Sequence, residues 1–231
     1  MSLAHMEKSV QKQAEGGGDG RDRILETAIV FFAEHGIQGS SLRALGQAAG
    51  QRNTGAIHYH FGDRDALVTA VLARIVDALN ELPSEAQVRA LQLSPADAMS
   101  EPLLGIVQWA FVPTLTLPLR YEWGAAAIKL LARILLGEAP AAARIVDDML
   151  ADGAAEFVKQ LRQHLADLPE MVLLERIEYA FVNVVFGMAA VPYLKINRRT
   201  DSPGWHGTAV NNLLAYVAAG LAAPAPRRLA G

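Results

Sequence analysis

The sequence predicts an all-α protein, with an N-terminal three-helix helix-turn-helix unit followed by a larger C-terminal helical unit. Three observations carry this. Apolar residues recur three and four positions apart along most of the chain, the spacing of one helix face, and strand-like alternation persists nowhere. Hydrophobic residues make up 52% of the 231 positions but aromatics only 6%, an Ala- and Leu-rich balance that suits helices. Glycine, proline, serine and aspartate then fall where helices of ordinary length start and stop.

Residues 1–20 lack the apolar core of a signal peptide. They read as a disordered arm, with Met1–His5 as tag residue. From Arg21 a helical stripe of Ile24, Leu25, Ala28, Phe31 and Phe32 runs to a Gly36 cap. Ser40 or Ser41 can cap a second helix through Leu42, Leu45 and Ala48, which Gly50 breaks. A short third helix, capped by Asn53, runs to about His60, and Phe61-Gly62 ends it. Asp63 caps a fourth, whose stripe of Leu67, Val71, Leu72, Ile75 and Leu79 is long enough to connect two units. The polar stretch Ser84–Ser100 reads as a loop. Larger helices are expected over about Glu101–Val112, Pro118–Leu136, Pro140–Leu168, Glu170–Leu194 and His206–Leu221, with Pro102, Pro118 and Pro140 near their starts. The units are therefore drawn as 1–20 (arm), 21–66 (helix-turn-helix), 67–222 (the larger helical unit) and 223–231 (tail).

Charge and composition narrow the function. A net charge of −3 excludes a strongly basic polynucleotide coat but leaves room for a local basic face. With no cysteine, disulfides and thiolate metal sites are impossible, which fits a reducing cytoplasm. Pro102–Leu119 and Tyr179–Leu194 carry no charged side chain. Both are at or below the length of a spanning helix and the first is interrupted by Pro113 and Pro118, so they read as buried core rather than membrane spans.

The stretch Ser41–Asp65, SLRALGQAAGQRNTGAIHYHFGDRD, carries the functional argument. A helix, a tight turn and a second short helix can present that second helix to the major groove. Close approach needs small residues, which Gly55 and Ala56 supply. Bases and phosphates need polar ones, which Asn53, Thr54, His58, Tyr59 and His60 supply. Arg43 and Arg64 flank the motif as phosphate partners. Between Arg21 and Arg64 five arginines face four acids, so position within the motif says more than local charge. Phe31, Phe32, Leu42, Leu45 and Ile57 read as the core of this unit. His58 and His60 have no carboxylate or cysteine beside them, so no metal site is expected.

At these residues the sequence resembles the tetracycline-repressor (TetR) family. Phe31-Phe32-Ala33-Glu34-His35-Gly36, Ala49-Gly50, Gly55 through Gly62 and Asp63–Leu67 match its pattern in order and spacing over roughly residues 21–70; the remainder matches only in length and helical character. Between Gly50 and Phe61 the chain is one residue longer than the common pattern. Thr54 stands where a basic residue is frequent and His58 where tyrosine is usual. The resemblance implies a ligand-responsive regulator, most simply a repressor released from a pseudo-palindromic operator. It implies three partners: double-stranded operator DNA, a small, hydrophobic effector of unknown identity, and a second copy of the chain joined through the last two helices.

For the C-terminal unit, Trp109, Trp123, Phe157 and Tyr179 are candidate pocket residues, with Asn183 as a polar anchor on an otherwise apolar helix. The Tyr179–Met188 segment and the stripe of Val210, Leu213, Leu214, Val217 and Leu221 are too apolar to face water, and an isologous interface would bury them. No catalytic constellation, Glu-x-x-His pair or phosphate loop is present, so an enzyme is not expected, nor a cofactor. Two rival readings remain: an all-α enzyme with an accessory DNA-binding unit, and a dimeric DNA-binding protein whose second unit is only a scaffold. A cavity of several hundred cubic ångströms would favour a sensor over a scaffold.

Overall fold

The computed structural model describes residues 20–50, 55–91, 93, 101–190 and 205–225, with backbone alone at 86, 87, 90 and 205–208. Every regular element among the described residues is a helix: α1 (20–35), α2 (Leu42–Ala48), α3 (Gly55–Phe61), α4 (Arg64–Asn80), α5 (Glu85–Ala90), α6 (Pro102–Arg120), α7 (Gly124–Leu135), α8 (Pro140–His164), α9 (Glu170–Ala190) and α10 (Trp205–Ala222).

Local chemistry sets the small N-terminal helices. Gly36 ends α1 with φ +78, and Ser40 folds back to donate its hydroxyl to the Gly36 carbonyl. Ser41, not Ser40, is the α2 cap: its Oγ accepts from the Ala44 N–H at 3.1 Å. Gly62, also with φ +78, closes α3, and the Asp63 carboxylate accepts from the Ala66 N–H at 2.8 Å to open α4.

Two cores hold the chain. The first joins Ile24, Phe32, Leu45, Ile57, Leu67 and Leu72 of the N-terminal helices to Ala127, Leu130 and Ile134 of α7. The second gathers Val107 and Phe111 of α6, Phe157 of α8, Val184 of α9 and Leu214 of α10. Phe111, Phe157 and Phe181 meet edge-to-face within it, with centroids 5.1 to 6.3 Å apart. Because α7 contributes to the first core, the N-terminal head is packed onto the bundle rather than tethered to it.

The middle of the chain departs from the sequence expectation in two places. Instead of two helices separated at Pro113, α6 runs unbroken through Pro113 and Pro118. Proline inside a helix costs about 3 kcal/mol. Here α6 is the hub of the bundle, touching α4, α5, α7, α8, α9 and α10, so tertiary packing outweighs the local loss. The Thr116 hydroxyl further supports the helix, donating to the carbonyls of Val112 and Pro113 at 3.0 Å each. The break comes instead at Tyr121, whose backbone is extended (φ −137, ψ 139), and at Gly124. A Cβ on Gly124 would lie 2.1 Å from the Leu117 carbonyl oxygen, so only glycine lets α7 turn back against the end of α6. Among the described residues α6 is also the helix long and apolar enough to cross a membrane; its Val107, Phe111 and Leu115 are buried in the protein.

The second departure is α5, in a stretch expected to be loop. An Arg89–Glu85 pair at 3.0 Å steadies it, while Val88 and Leu91 anchor it on the second core. Elsewhere α8 stops at His164, four residues short of expectation, and α9 is described as far as Ala190. The stripe Val210, Leu214, Val217 and Leu221 is buried within its own subunit, against α6 and α9, rather than left for a partner. Leu213 likewise turns inward, its methyls 3.3 and 3.6 Å from where a Cβ on Gly187 would stand.

Candidate nucleic-acid interface and ligand cavity

The head presents α3 outward. Ile57 and Phe61 face the core, which turns Gly55, His58 and Tyr59 to solvent; Tyr59 is 85% exposed, an unusual position for a large ring. His58 is held by its own helix: Nδ1 lies 2.7 Å from the Gly62 carbonyl oxygen. A carbonyl only accepts, so Nδ1 carries a proton and Nε2 is the nitrogen left for another partner. His60 is half-buried, edge-on to Tyr59 at 5.1 Å and turned toward the start of α1, where a Cβ on Gly20 would lie 4.0 Å from its Nε2. Arg43 is exposed on α2. Arg64, at the start of α4, is half-buried and has one guanidinium nitrogen without a partner among the described residues. Asn53 and Thr54, also expected at this face, lie outside the described residues.

Sequence reading passed over Arg23. Its guanidinium reaches the helix-turn-helix turn, 3.8 Å from where a Cβ on Gly50 would stand. Its position on the exposed face of α1, in register with Glu26, Val30 and Glu34, was the available signal.

Below the head, a cavity of about 630 Å³ opens between the C-terminal end of α4, the following Leu82 and Pro83, α5, α6 and α8, with Phe181 of α9 at its back. Trp109 and Phe157 come together on its wall. The other three expected pocket residues do not. Trp123 is buried elsewhere, stacked on Tyr121 at 4.5 Å, and its Nε1 donates to Glu26 of α1 at 3.2 Å. Tyr179 is 61% exposed on the outer face of α9, and Asn183 spends its Nδ2 on the Tyr179 carbonyl at 2.7 Å. The reason is rotational: Phe181 and Val184 occupy the inward face of α9, which leaves 179 and 182 outside.

A polar cluster beside the cavity joins its rim to the head. Arg120, its side chain 5% exposed, donates to the Ala78 carbonyl and to Glu81 Oε2, both at 2.8 Å. The Tyr121 hydroxyl donates to the same Glu81 oxygen. That hydrogen bond, followed by the hydrogen bond and charge of Arg120, holds the Glu81 carboxyl below its ordinary value of 4.5. Arg74 of α4 lies over both the Tyr121 and Trp123 rings, at 5.1 and 5.0 Å, and Trp123 reaches Glu26. Nothing in local sequence pattern pairs residues about 40 to 100 positions apart, so this cluster was not legible beforehand.

A helix-turn-helix head with a solvent-facing polar helix, joined by one long helix to a cavity-bearing bundle, defines a class of DNA-binding regulator. The chain belongs to the tetR family of bacterial regulatory proteins. The family profile "Bacterial regulatory proteins, tetR family" matches residues 24–71, and "Tetracyclin repressor-like, C-terminal domain" matches residues 109–220. Among curated relatives, the HTH-type transcriptional repressor AcnR of Corynebacterium glutamicum is 42% identical over 65 residues, 28% of this chain and 34% of that protein. AcnR of Corynebacterium efficiens is 40% identical over 85 residues (37% and 40%), and the repressor NicS of Pseudomonas putida 31% over 81 (35% and 37%). The alignments thus span little more than a third of these relatives. A solved structure of a HlyIIR mutant protein superposes with a TM-score of 0.54 over 88% of this chain and 97% of that one, at 16% identity, a likeness of fold.

Proposed function

We propose that this protein is a homodimeric repressor that leaves a pseudo-palindromic operator when a small, hydrophobic effector enters the cavity. The observation that carries the reading is the course of α4. Its first turn follows the outward-facing α3, and its last turn, Leu79 and Asn80, forms part of the cavity wall. A ligand pressing on that wall acts on the same rigid helix that positions the head. Effector and DNA then favour different arrangements and weaken each other by the same factor. A cavity of this size is what separates a sensor from a filled scaffold. In this reading residues 21–66 form the DNA-binding unit and 67–222 the effector and dimerisation unit. Arg43, Asn53, Thr54, Gly55, His58, Tyr59, His60 and Arg64 meet the DNA, and the protein works in the cytoplasm.

Dimerisation is supported by an exposed apolar face. Met171, Leu174, Tyr179 and Val182 line the outside of α9, and Tyr216 stands among Ala215, Ala219 and Gly220 on α10. Small residues around a large ring permit close helix approach, and a two-fold arrangement gives two α3 helices about one DNA turn apart.

Selection from a randomised duplex library with the purified full chain tests the reading. Enrichment of inverted repeats with half-sites about 10 base pairs apart, centre to centre, is expected. Recovery of DNA without a common sequence would overturn it.

A further inference from the structure

We propose that the ligand of the α4–α6–α8 cavity is an uncharged, largely aromatic small molecule with one hydrogen-bond donor, received by the main-chain carbonyl of Trp109. The inference rests on reading this cavity as the effector site and adds the chemistry of what it takes.

Charge comes first. None of the 18 described residues lining the cavity is Asp, Glu, Lys, Arg or His. An ionised ligand would give up hydration there with no opposite charge in return, a heavy penalty even in a partly open site. The wall is apolar, and the half-exposed ring of Trp109 is the aromatic surface it offers to a flat ligand, with Phe157 and Phe181 packed behind.

The polarity of the hydrogen bond follows from a proline. In an α-helix the carbonyl of residue 109 accepts from the N–H of residue 113, and residue 113 is a proline with no N–H to give. Both Trp109 and Pro113 lie on the cavity wall, so this gap in the α6 ladder opens toward the cavity. The Thr116 hydroxyl is already used, since it donates to Val112 and Pro113. Pro118 leaves the same gap at Thr114, but there only one of the two residues, Thr114, is on the wall. Asn80, Gln108 and Thr114 can each give or receive. The Trp109 carbonyl can only receive, and it therefore sets the requirement for a donor on the ligand.

The wall also provides its own control. Gly153 of α8 lines the cavity, and a Cβ built on it meets no atom within 4 Å, so a side chain can start from the wall there without displacing protein.

Three compounds of one shape test the proposal by calorimetry on the full chain at neutral pH: 2-naphthol (neutral, donor), 2-methoxynaphthalene (neutral, no donor) and 2-naphthoate (anion). The naphthol is expected to bind at least tenfold more tightly than either of the others. Gly153→Phe should remove naphthol and methoxynaphthalene binding together. Pro113→Ala returns an N–H to the Trp109 carbonyl. It should lower naphthol affinity by a larger factor than methoxynaphthalene affinity, so that the gap between the two closes, with the melting temperature confirming an intact fold. Naphthoate binding as tight as naphthol, abolished by Gly153→Phe, would overturn the ligand class while keeping the cavity as the effector site. An unchanged naphthol preference in Pro113→Ala would overturn the carbonyl as anchor. Failure of all three compounds to bind would overturn both the class and the effector reading.

Discussion

His58 has one ring nitrogen committed to its own helix, and this decides how it can meet DNA. With Nδ1 donating to Gly62, Nε2 can donate to a phosphate oxygen only when the ring is protonated. His58→Gln removes the ring that Gly62 fixes and should weaken operator binding about tenfold, while the half-buried His60→Gln should cost less. Unchanged affinity in His58→Gln would return the DNA contact to Tyr59 and the arginines. Glu81 gives a second residue-level test, this one in pH. Its pKa is lowered in the folded state by Tyr121 and Arg120, so its contribution to stability is present above its ordinary value of 4.5 and is lost as pH falls through the lowered one. Glu81 is about half exposed, so the difference between wild type and Glu81→Gln in urea unfolding should be about 1 kcal/mol or less at pH 7. That gap should close in acid. A gap that persists below pH 3 would mean the carboxylate is not the source.

Glycines in two helices make a matched experiment, because identical substitutions should act in opposite directions. At Gly124 a Cβ meets the Leu117 carbonyl oxygen at 2.1 Å, and relief requires α6 and α7 to separate. Gly124→Ala should therefore destabilise by about 3 kcal/mol or more, a cost of strain in a packed core. At Gly153, mid-helix and exposed, the added Cβ meets nothing, and the gain in helix propensity should stabilise by about 1 kcal/mol. Chemical denaturation of the two variants side by side reads the difference; a stabilised Gly124→Ala would remove the close approach from the account of the α6–α7 turn. The same two helices mark the limit of what sequence could tell. The Asp63 cap, the α2 cap to within Ser40 or Ser41, and the Gly36 and Gly62 stops were legible because each is settled within four residues. The course of α6 was not. Its prolines argue locally for a break, and only the six helices around it, contributed by distant parts of the chain, decide otherwise. For the same reason the exposed face of α3 could be read in advance from Ile57 and Phe61. Trp123 could not be removed from the pocket until Glu26 was seen beside it.

On the scale of the whole molecule, the two cores meet along α6 and α9, where Leu117 and Val185 belong to the first and Leu115 and Val184 to the second, so the head moves with the bundle and the proposed partner face lies beyond both. The sequence pointed to that face through the wrong stripe. Val210, Leu214, Val217 and Leu221 are apolar because they fill their own subunit, and Leu213→Arg would damage the fold before it reached any interface. The test belongs at Tyr216, which is 64% exposed on α10 and close in kind to Tyr179 on α9 at 61%. An exposed position tolerates a new charge in the isolated subunit, typically within about 0.5 kcal/mol. In a self-complementary interface each substitution enters twice and brings like charges together near the axis, where desolvating an unpaired arginine costs several kcal/mol. Tyr216→Arg should therefore sediment as a monomer with unaltered helix content and bind the selected operator at least a hundredfold more weakly, since one α3 grips one half-site. Gly153→Ala, far from this face, should remain dimeric and bind as wild type does. A Tyr216→Arg protein that still sediments as a dimer would move the interface away from the outer faces of α9 and α10.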